Sequence, residues 1–263
     1  DLRDMWVRAF EAYARTCYEA CTEVVTLYED NQRLQKVLGA DPSRLRVIAN
    51  GIDVARFSSL PLAGDAERPT IALIGRVVPI KDVKTFIAAA RLLAAKVPNL
   101  RAYVLGPVDE DAEYVADCRA FTQQIGAEEI VTFTGSVDIR EYLPHVHVAV
   151  LTSLSESQPL VVLEAGAAGI PFVATNVGSC REIIEGRPEE MPRLGSGGAI
   201  VDVVAPEAIA AAVGDLLADP ARRRACGEAL RARVSAFYRS EQAVAAYREL
   251  YRRHASATTG TGA

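Results

Sequence analysis

At 263 residues the chain can hold one large or two small domains, and 50% hydrophobic with 24% charged residues is the make-up of a globular protein with a sizeable core. The 29 basic and 34 acidic residues give a formal charge of −5, without the Lys/Arg block that tracks a phosphate backbone, which argues against nucleic acid as a partner. No run reaches the roughly 18 to 20 consecutive apolar residues of a membrane span, and the opening DLRDMWVRAF has neither the basic start nor the apolar centre of a signal peptide, so a cytoplasmic location is expected.

In chain order, residues 1–52 read as helix, strand, helix, strand. The first helix carries Met5, Trp6, Ala9, Phe10, Tyr13 and Cys17 along one side; EVVTLY, DNQRLQKVLG and RLRVIAN follow. Two strands do not make a stable sheet alone. The first helix, through Trp6 and Phe10, and the closing helix Glu241 to His254 are therefore expected to cover them, with an apolar patch left over. The chain has no initiator Met and reads as mid-protein from its first residue, so a fragment is expected.

From residue 70 short β-rich runs alternate with helical patterns. TIALIG (70–75) precedes a helix with Val83, Phe86, Ile87, Ala90 and Leu93 or Ala94 on one face. LRAYVLG, IVTFTG, HVAVLTS, PFVAT and GAIVDV supply further strands, and their continuous hydrophobicity predicts a parallel sheet covered on both faces in a doubly wound α/β fold. Only helices follow, the first opening at Pro206 and closing at Asp219-Pro220. The terminal SATTGTGA is expected to be disordered.

Ligands of such sheets bind beyond the carboxyl ends of strands, so the loops there are informative. GRVVPIKD places Arg76 at a strand end and Lys81 at the start of the next helix, an arrangement that suits a diphosphate or, more blandly, a solvated basic loop. LSESQP then leads into a helix that Ser155 or Ser157 can cap, with Pro159 at its first position and the amides of Leu160 and Val161 open to an anion. Glu164, one turn deeper in an apolar run, must find donors; a ribose diol supplies them, and Glu156 can serve a second sugar. The alternatives are that Glu164 pairs with Arg76 or a backbone amide and that Glu156 is a surface acid. GPVDED and NVGSCREIIEG complete the set of loops; in the latter Gly178-Ser179 can bring amides to a ligand or form an ordinary turn. His145, His147 and His254 have no metal-like spacing. The five cysteines, Cys17, Cys21, Cys118, Cys180 and Cys226, form no CxxC pair and suit neither a disulfide framework nor zinc; Cys180 has no local His to make it a nucleophile. Neither a P-loop nor a nicotinamide fingerprint is present.

Taken together, NGID (50–53), GRVVPIKD (75–82) and SESQPLVVLEAGAAGIPFVATNVGSCREIIEG (155–186) resemble the C-terminal half of a retaining glycosyltransferase of family 4, and within it the PelF-like enzymes of Pel exopolysaccharide synthesis, over about residues 10–250. The resemblance implies the GT-B architecture: a Rossmann-like donor domain over 53–238, a remnant of the N-terminal acceptor domain at 1–52, a helix returning to that domain at 239–255 and a tail at 256–263. It implies that Arg76 and Lys81 neutralise a donor diphosphate in place of a metal ion, that Glu164 holds the ribose and Glu156 faces the sugar as the two acids of the E-x7-E motif, and that Leu160 and Val161 add amides. Arg76, Lys81 and Glu156 are thereby the catalytic set, with Ser157 also in the donor site. No cofactor is implied beyond the nucleotide-sugar substrate, UDP-glucose by resemblance. The implied partners are a growing polysaccharide, the absent N-terminal domain and membrane polysaccharide-export proteins, and the fragment alone is expected to be inactive. The family usually has Gly at position 157; if that residue needs positive φ, Ser costs roughly 1 kcal/mol there. A non-catalytic nucleotide-sugar module and a UDP-sugar isomerase on the same scaffold are the alternatives.

Overall fold

The computed structural model describes residues 2–65 and 68–258. The chain divides into two compact units, one built from the residues up to Gly51 and from Ser240 on, the other from Ile52–Arg239.

The first unit begins with α1 (Leu2–Ala20), followed by β1 (Val24–Thr26), α2 (Glu29–Val37) and β2 (Leu45–Val47). β1 and β2 pair in parallel, Val24 opposite Leu45, over a small core of Val24, Ala40 and Leu45 with Tyr18 against it. That core is too small to bury the apolar side of α1. Contrary to the expectation that this helix covers the strands, Trp6 is 60% and Phe10 68% exposed, and Met5 and Tyr13 face solvent with them. Tyr18, one turn from the helix end, is the α1 residue that joins the core.

The second unit holds α3 (Ala55–Ser58), β3 (Thr70–Ile74), α4 (Val83–Ala94), β4 (Arg101–Leu105), α5 (Ala112–Gln124), β5 (Val131–Gly135), α6 (Ile139–Tyr142), β6 (Val148–Leu151), α7 (Leu160–Ala168), β7 (Phe172–Thr175), α8 (Cys180–Glu185), β8 (Gly198–Val201), α9 (Pro206–Ala218) and α10 (Pro220–Phe237). Six parallel strands lie in the order β5-β4-β3-β6-β7-β8. Alternate residues of the central strands, Ile71, Leu73, Ala102, Val104, Val148, Val150 and Val173, share a core with Phe86, Ile87 and Leu93 of α4, Cys118 of α5 and Ile209 and Val213 of α9. The intervening residues point to the opposite face by the two-residue period of a strand. There α7 packs on α10, which also meets α8. Every residue of β3, β6 and β7 is buried, which is why their sequences are continuously apolar.

The strand order reverses between β3 and β6. The chain winds outward through β4 and β5, then returns to the other side of β3, which makes the carboxyl ends of β3 and β6 the switch point where such sheets open a crevice.

The last helix, α11 (Ser240–Thr258), returns to the first unit, where Arg253 and His254 approach Glu23 at 4.0 and 3.5 Å. Residues 256–258, expected in a disordered tail, continue this helix, and the rest of that tail lies outside the described residues. Among the described residues no helix is long and apolar enough to cross a membrane.

Candidate functional site

Leaving β3, the chain passes Arg76 and enters a tight 3-10 turn over Pro79–Lys81. Asp82 follows in the left-handed conformation (φ 46°, ψ 54°), and its carboxylate accepts from the Thr85 amide at 3.4 Å, capping α4. The turn is stitched to the strand across the switch point. Thr152, just past β6, shares its hydroxyl proton between the carbonyls of Lys81 (2.8 Å) and Asp82 (2.9 Å), and the Leu154 amide donates to Ile80 O at 2.9 Å. This stitching aims Lys81 at the next loop. Lys81 Nζ lies 2.5 Å from Glu156 Oε1, which also accepts from Ser153 Oγ at 2.7 Å, and the two charged side chains are 19% and 13% exposed. Glu156 is therefore no surface acid.

Arg76 takes a different partner. Its Nη1 donates to Glu110 Oε2 at 2.7 Å, a residue of the acidic loop after β4, so Arg76 is not the partner of Glu164. Glu164 sits one turn inside α7, half-buried, and no described residue gives its carboxylate a hydrogen bond. Burial raises its pKa above the ordinary value, and the charge of Arg56, on the α3 segment packed against α7, draws it part of the way back.

The start of α7 differs in detail from the expectation. Pro159 is the N-cap residue, extended at φ −72° and ψ 114°, one position ahead of the first turn, and neither Ser155 nor Ser157 caps the helix. The Ser157 backbone is held elsewhere: its carbonyl accepts from the Ser179 amide at 2.9 Å. With no capping side chain, the amides of Leu160 and Val161 have no acceptor among the described residues, as first-turn amides lack one within a helix. Leu160 is exposed and Val161 half-buried.

The turn after β7 braces this loop from behind. Gly178 has φ 52°, and a Cβ built there would stand 2.3 Å from Ser157 O and 2.5 Å from Glu156 O. Of the two readings of Gly178-Ser179, the Ser179 amide fits the ordinary turn: it is engaged by Ser157 O. Ser157 itself carries no strain: among the described residues the non-glycines at positive φ are Asp82, Asn99 and Val204. The condition under which Ser in place of Gly would be costly is not met. Cys180 is fully buried, its thiol pushed up to about 12 by burial and by the Glu156 charge, so it stays protonated and inert.

His147 lies at the other end of the sheet, its Nδ1 accepting from the Thr70 amide at 3.3 Å and Nε2 lying 3.2 Å from Gly64 O. Among the described residues no group of three His, Cys, Asp or Glu is placed to hold a metal. Four contributors went unnamed in the sequence reading: Thr152, Ser153, Glu110 and Arg56. Thr152 and Ser153 stand at a strand end and Glu110 in an acidic run after one, a usable signal; Arg56 had none.

Lys81 and Glu156 thus meet across the switch point, the helix that follows the Glu156 loop carries the open amides and Glu164, and Arg76 stands in the loop after β3. The family described as glycosyl transferases group 1 matches residues 68–219, more than half the chain and all of these groups. The chain belongs to the group 1 glycosyltransferases. Residues 1–43 match a domain of unknown function, DUF3492. A D-inositol 3-phosphate glycosyltransferase of Kineococcus radiotolerans is 30% identical over 85% of this chain and 55% of its own length. A GDP-mannose-dependent alpha-(1-6)-phosphatidylinositol monomannoside mannosyltransferase of Mycolicibacterium smegmatis is 30% identical over 79% of this chain and 56% of its own. The chain thus spans little more than half the length of these curated relatives. Among solved structures, sucrose-phosphate synthase from Thermosynechococcus elongatus superposes with a TM-score of 0.75 at 27% identity, covering 89% of this chain and 58% of that one. Anabaena HepE in complex with UDP and glucose shares the fold at a TM-score of 0.78 and 19% identity, covering 92% and 67%. The six-stranded parallel sheet with its flanking helices is the Rossmann-like half of the GT-B fold.

Proposed function

We propose that Ile52–Arg239 is the donor-binding unit of a retaining hexosyltransferase that acts on a nucleotide sugar. The observation that carries this reading is the Lys81–Glu156 pair at the switch point, followed in the chain by a helix that opens with uncapped amides and carries Glu164, a half-buried carboxylate without a hydrogen-bond donor among the described residues. An adenine or uracil nucleotide and its ribose are neutral apart from the phosphates, so one site must offer cations to the diphosphate and acceptors to the hydroxyls. Here Lys81 and Arg76 serve the diphosphate together with the Leu160 and Val161 amides, and Glu164 accepts from the ribose diol. Glu156, held by Lys81 and Ser153, orients the sugar through its hydroxyls. In the transfer the bond from the sugar C1 to the phosphate oxygen breaks, a bond from C1 to an acceptor hydroxyl oxygen forms, the hydroxyl proton passes to the departing diphosphate, and the nucleoside diphosphate leaves with its remaining charge stabilised by the two cations.

The donor in this reading is UDP-glucose and the acceptor a growing exopolysaccharide, presented by an N-terminal domain and passed to membrane export proteins. The charge on the diphosphate is handled by Arg76 and Lys81 without a metal ion. A GDP-linked mannose is the second reading, favoured by the GDP-mannose dependence in the name of the mycobacterial relative.

Thermal shift with UDP, GDP, ADP, UDP-glucose and GDP-mannose, each with and without EDTA, tests it. A ligand bound by the native state alone at 100 times its Kd stabilises by about 2.7 kcal/mol. UDP and UDP-glucose are expected to raise the melting temperature most, unaffected by EDTA. A larger rise with GDP-mannose selects the second reading, and no rise with any nucleotide overturns both.

A further inference from the structure

The loop after β4 takes no part in the donor reading above, yet it is the acidic stretch beside the site: Asp109, Glu110 and Asp111 in succession. Asp111 is engaged locally, its carboxylate accepting from the Tyr114 amide at 2.9 Å as the cap of α5. Glu110 instead reaches across to Arg76, 2.7 Å away, with the two side chains 53% (Arg76) and 47% (Glu110) exposed.

Backbone contacts keep the two loops in register. The Gly75 amide donates to Leu105 O and the Val77 amide to Pro107 O, both at 2.9 Å. Gly106 lies so close to Gly75 that a Cβ on it would stand 2.1 Å from the Gly75 carbonyl oxygen. Glu110 is thus delivered beside Arg76 by a rigid frame, while the pair itself is solvated and easily exchanged. The contrast with the second cation is sharp, since Lys81 and Glu156 are mostly buried and supported by Ser153. One cation is fixed and the other is on loan to a carboxylate.

Resting on the donor reading, we propose that Glu110 competes with the diphosphate for Arg76: it holds the guanidinium while the phosphate position is empty and takes it back as the nucleoside diphosphate leaves. Glu110 is a positioning residue that lowers affinity for the charged product and so favours its release. An exposed ion pair biases such an exchange by about 1.5- to 5-fold.

Titration calorimetry with UDP and with GDP on the wild type, Glu110→Gln, Asp109→Asn, Arg76→Ala and the Arg76→Ala/Glu110→Gln double variant tests this at low salt. Glu110→Gln is expected to bind the preferred diphosphate about 1.5- to 5-fold more tightly. The gain should exceed that of Asp109→Asn and be absent when Arg76 is Ala. Unchanged or weaker binding by Glu110→Gln overturns the proposal alone, as does an equal gain in Asp109→Asn or a gain that survives the loss of Arg76. Failure of every form, wild type included, to bind either diphosphate overturns the donor reading and this proposal together.

Discussion

Lys81 Nζ and Glu156 Oε1, 2.5 Å apart, join the loop after β3 to the loop after β6 across the point where the strand order reverses. The pair is mostly buried, so removing one member strands the other. Lys81→Ala should destabilise the unit by about 1 to 3 kcal/mol, measured by urea denaturation, and should also weaken UDP binding. Glu156→Gln keeps a carbonyl for Lys81 and Ser153 while removing the charge. It is expected to weaken UDP-glucose more than UDP in calorimetry; equal effects on the two ligands would refute its sugar-facing role.

Glu164 sets binding against stability. Burial raises its pKa, with the Arg56 charge opposing, so the ionised form is disfavoured in the empty fold. A raised acid contributes stability that is fully present below its unfolded value, 4.5, and is lost as pH rises through the folded value. At neutral pH Glu164→Gln should therefore raise the melting temperature of the empty protein, with the difference shrinking as pH falls toward 4.5. The same variant should bind UDP and UDP-glucose more weakly. A variant that is less stable at pH 7 and binds as well as wild type contradicts the account.

These relationships were legible in the sequence to different depths. β3, β6 and β7 were visible because strands buried on both faces are continuously apolar, and the buried face of α4 followed from its period. Lys81 and Glu156 could each be flagged as loop residues after strands. Their contact spans 75 positions and depends on β6 lying beside β3, an order that local pattern does not contain. Arg76 and Glu110, 34 positions apart, meet because Ile74 is in register with Leu105. The apolar side of α1 misled for the opposite reason: amphipathicity marks a face that needs a partner, and the small core around Val24 does not supply one.

Gly178 and Ser157 make a paired prediction about backbone conformation. At φ 52°, with two carbonyl oxygens within 2.5 Å of a built Cβ, Gly178 cannot take a side chain unless the Glu156 loop moves. Gly178→Ala should then weaken UDP-glucose binding along with stability. Ser157 is not at positive φ, so Ser157→Gly relieves nothing and only enlarges the freedom of the unfolded chain. It should destabilise by roughly 0.4 to 1 kcal/mol. A stabilising Ser157→Gly, read in the same denaturation series, would show that the site is strained after all.

Among the described residues Arg233 and Glu190 form the most buried ion pair, 1% and 4% exposed. Arg233 Nε and Nη2 donate to the two carboxylate oxygens at 2.6 and 2.9 Å, and the guanidinium also serves the carbonyls of Ile183, Ile184 and Gly195. One side chain on α10 thereby ties down the long connection between α8 and β8. Arg233→Met leaves a buried carboxylate unpaired and should cost about 3 to 5 kcal/mol, whereas Arg233→Met/Glu190→Leu should recover much of the loss. The hydrogen bonds from Arg233 hold the Glu190 pKa below 4.5. A depressed carboxylate contributes stability present above the unfolded value and lost as pH falls through the folded one. Wild-type stability should therefore drop as pH falls below 4.5, and the double variant should lose less over the same range. Urea midpoints collected from pH 7 to pH 3 check both halves, and parallel acid profiles for the two proteins would remove Glu190 from the account of acid sensitivity.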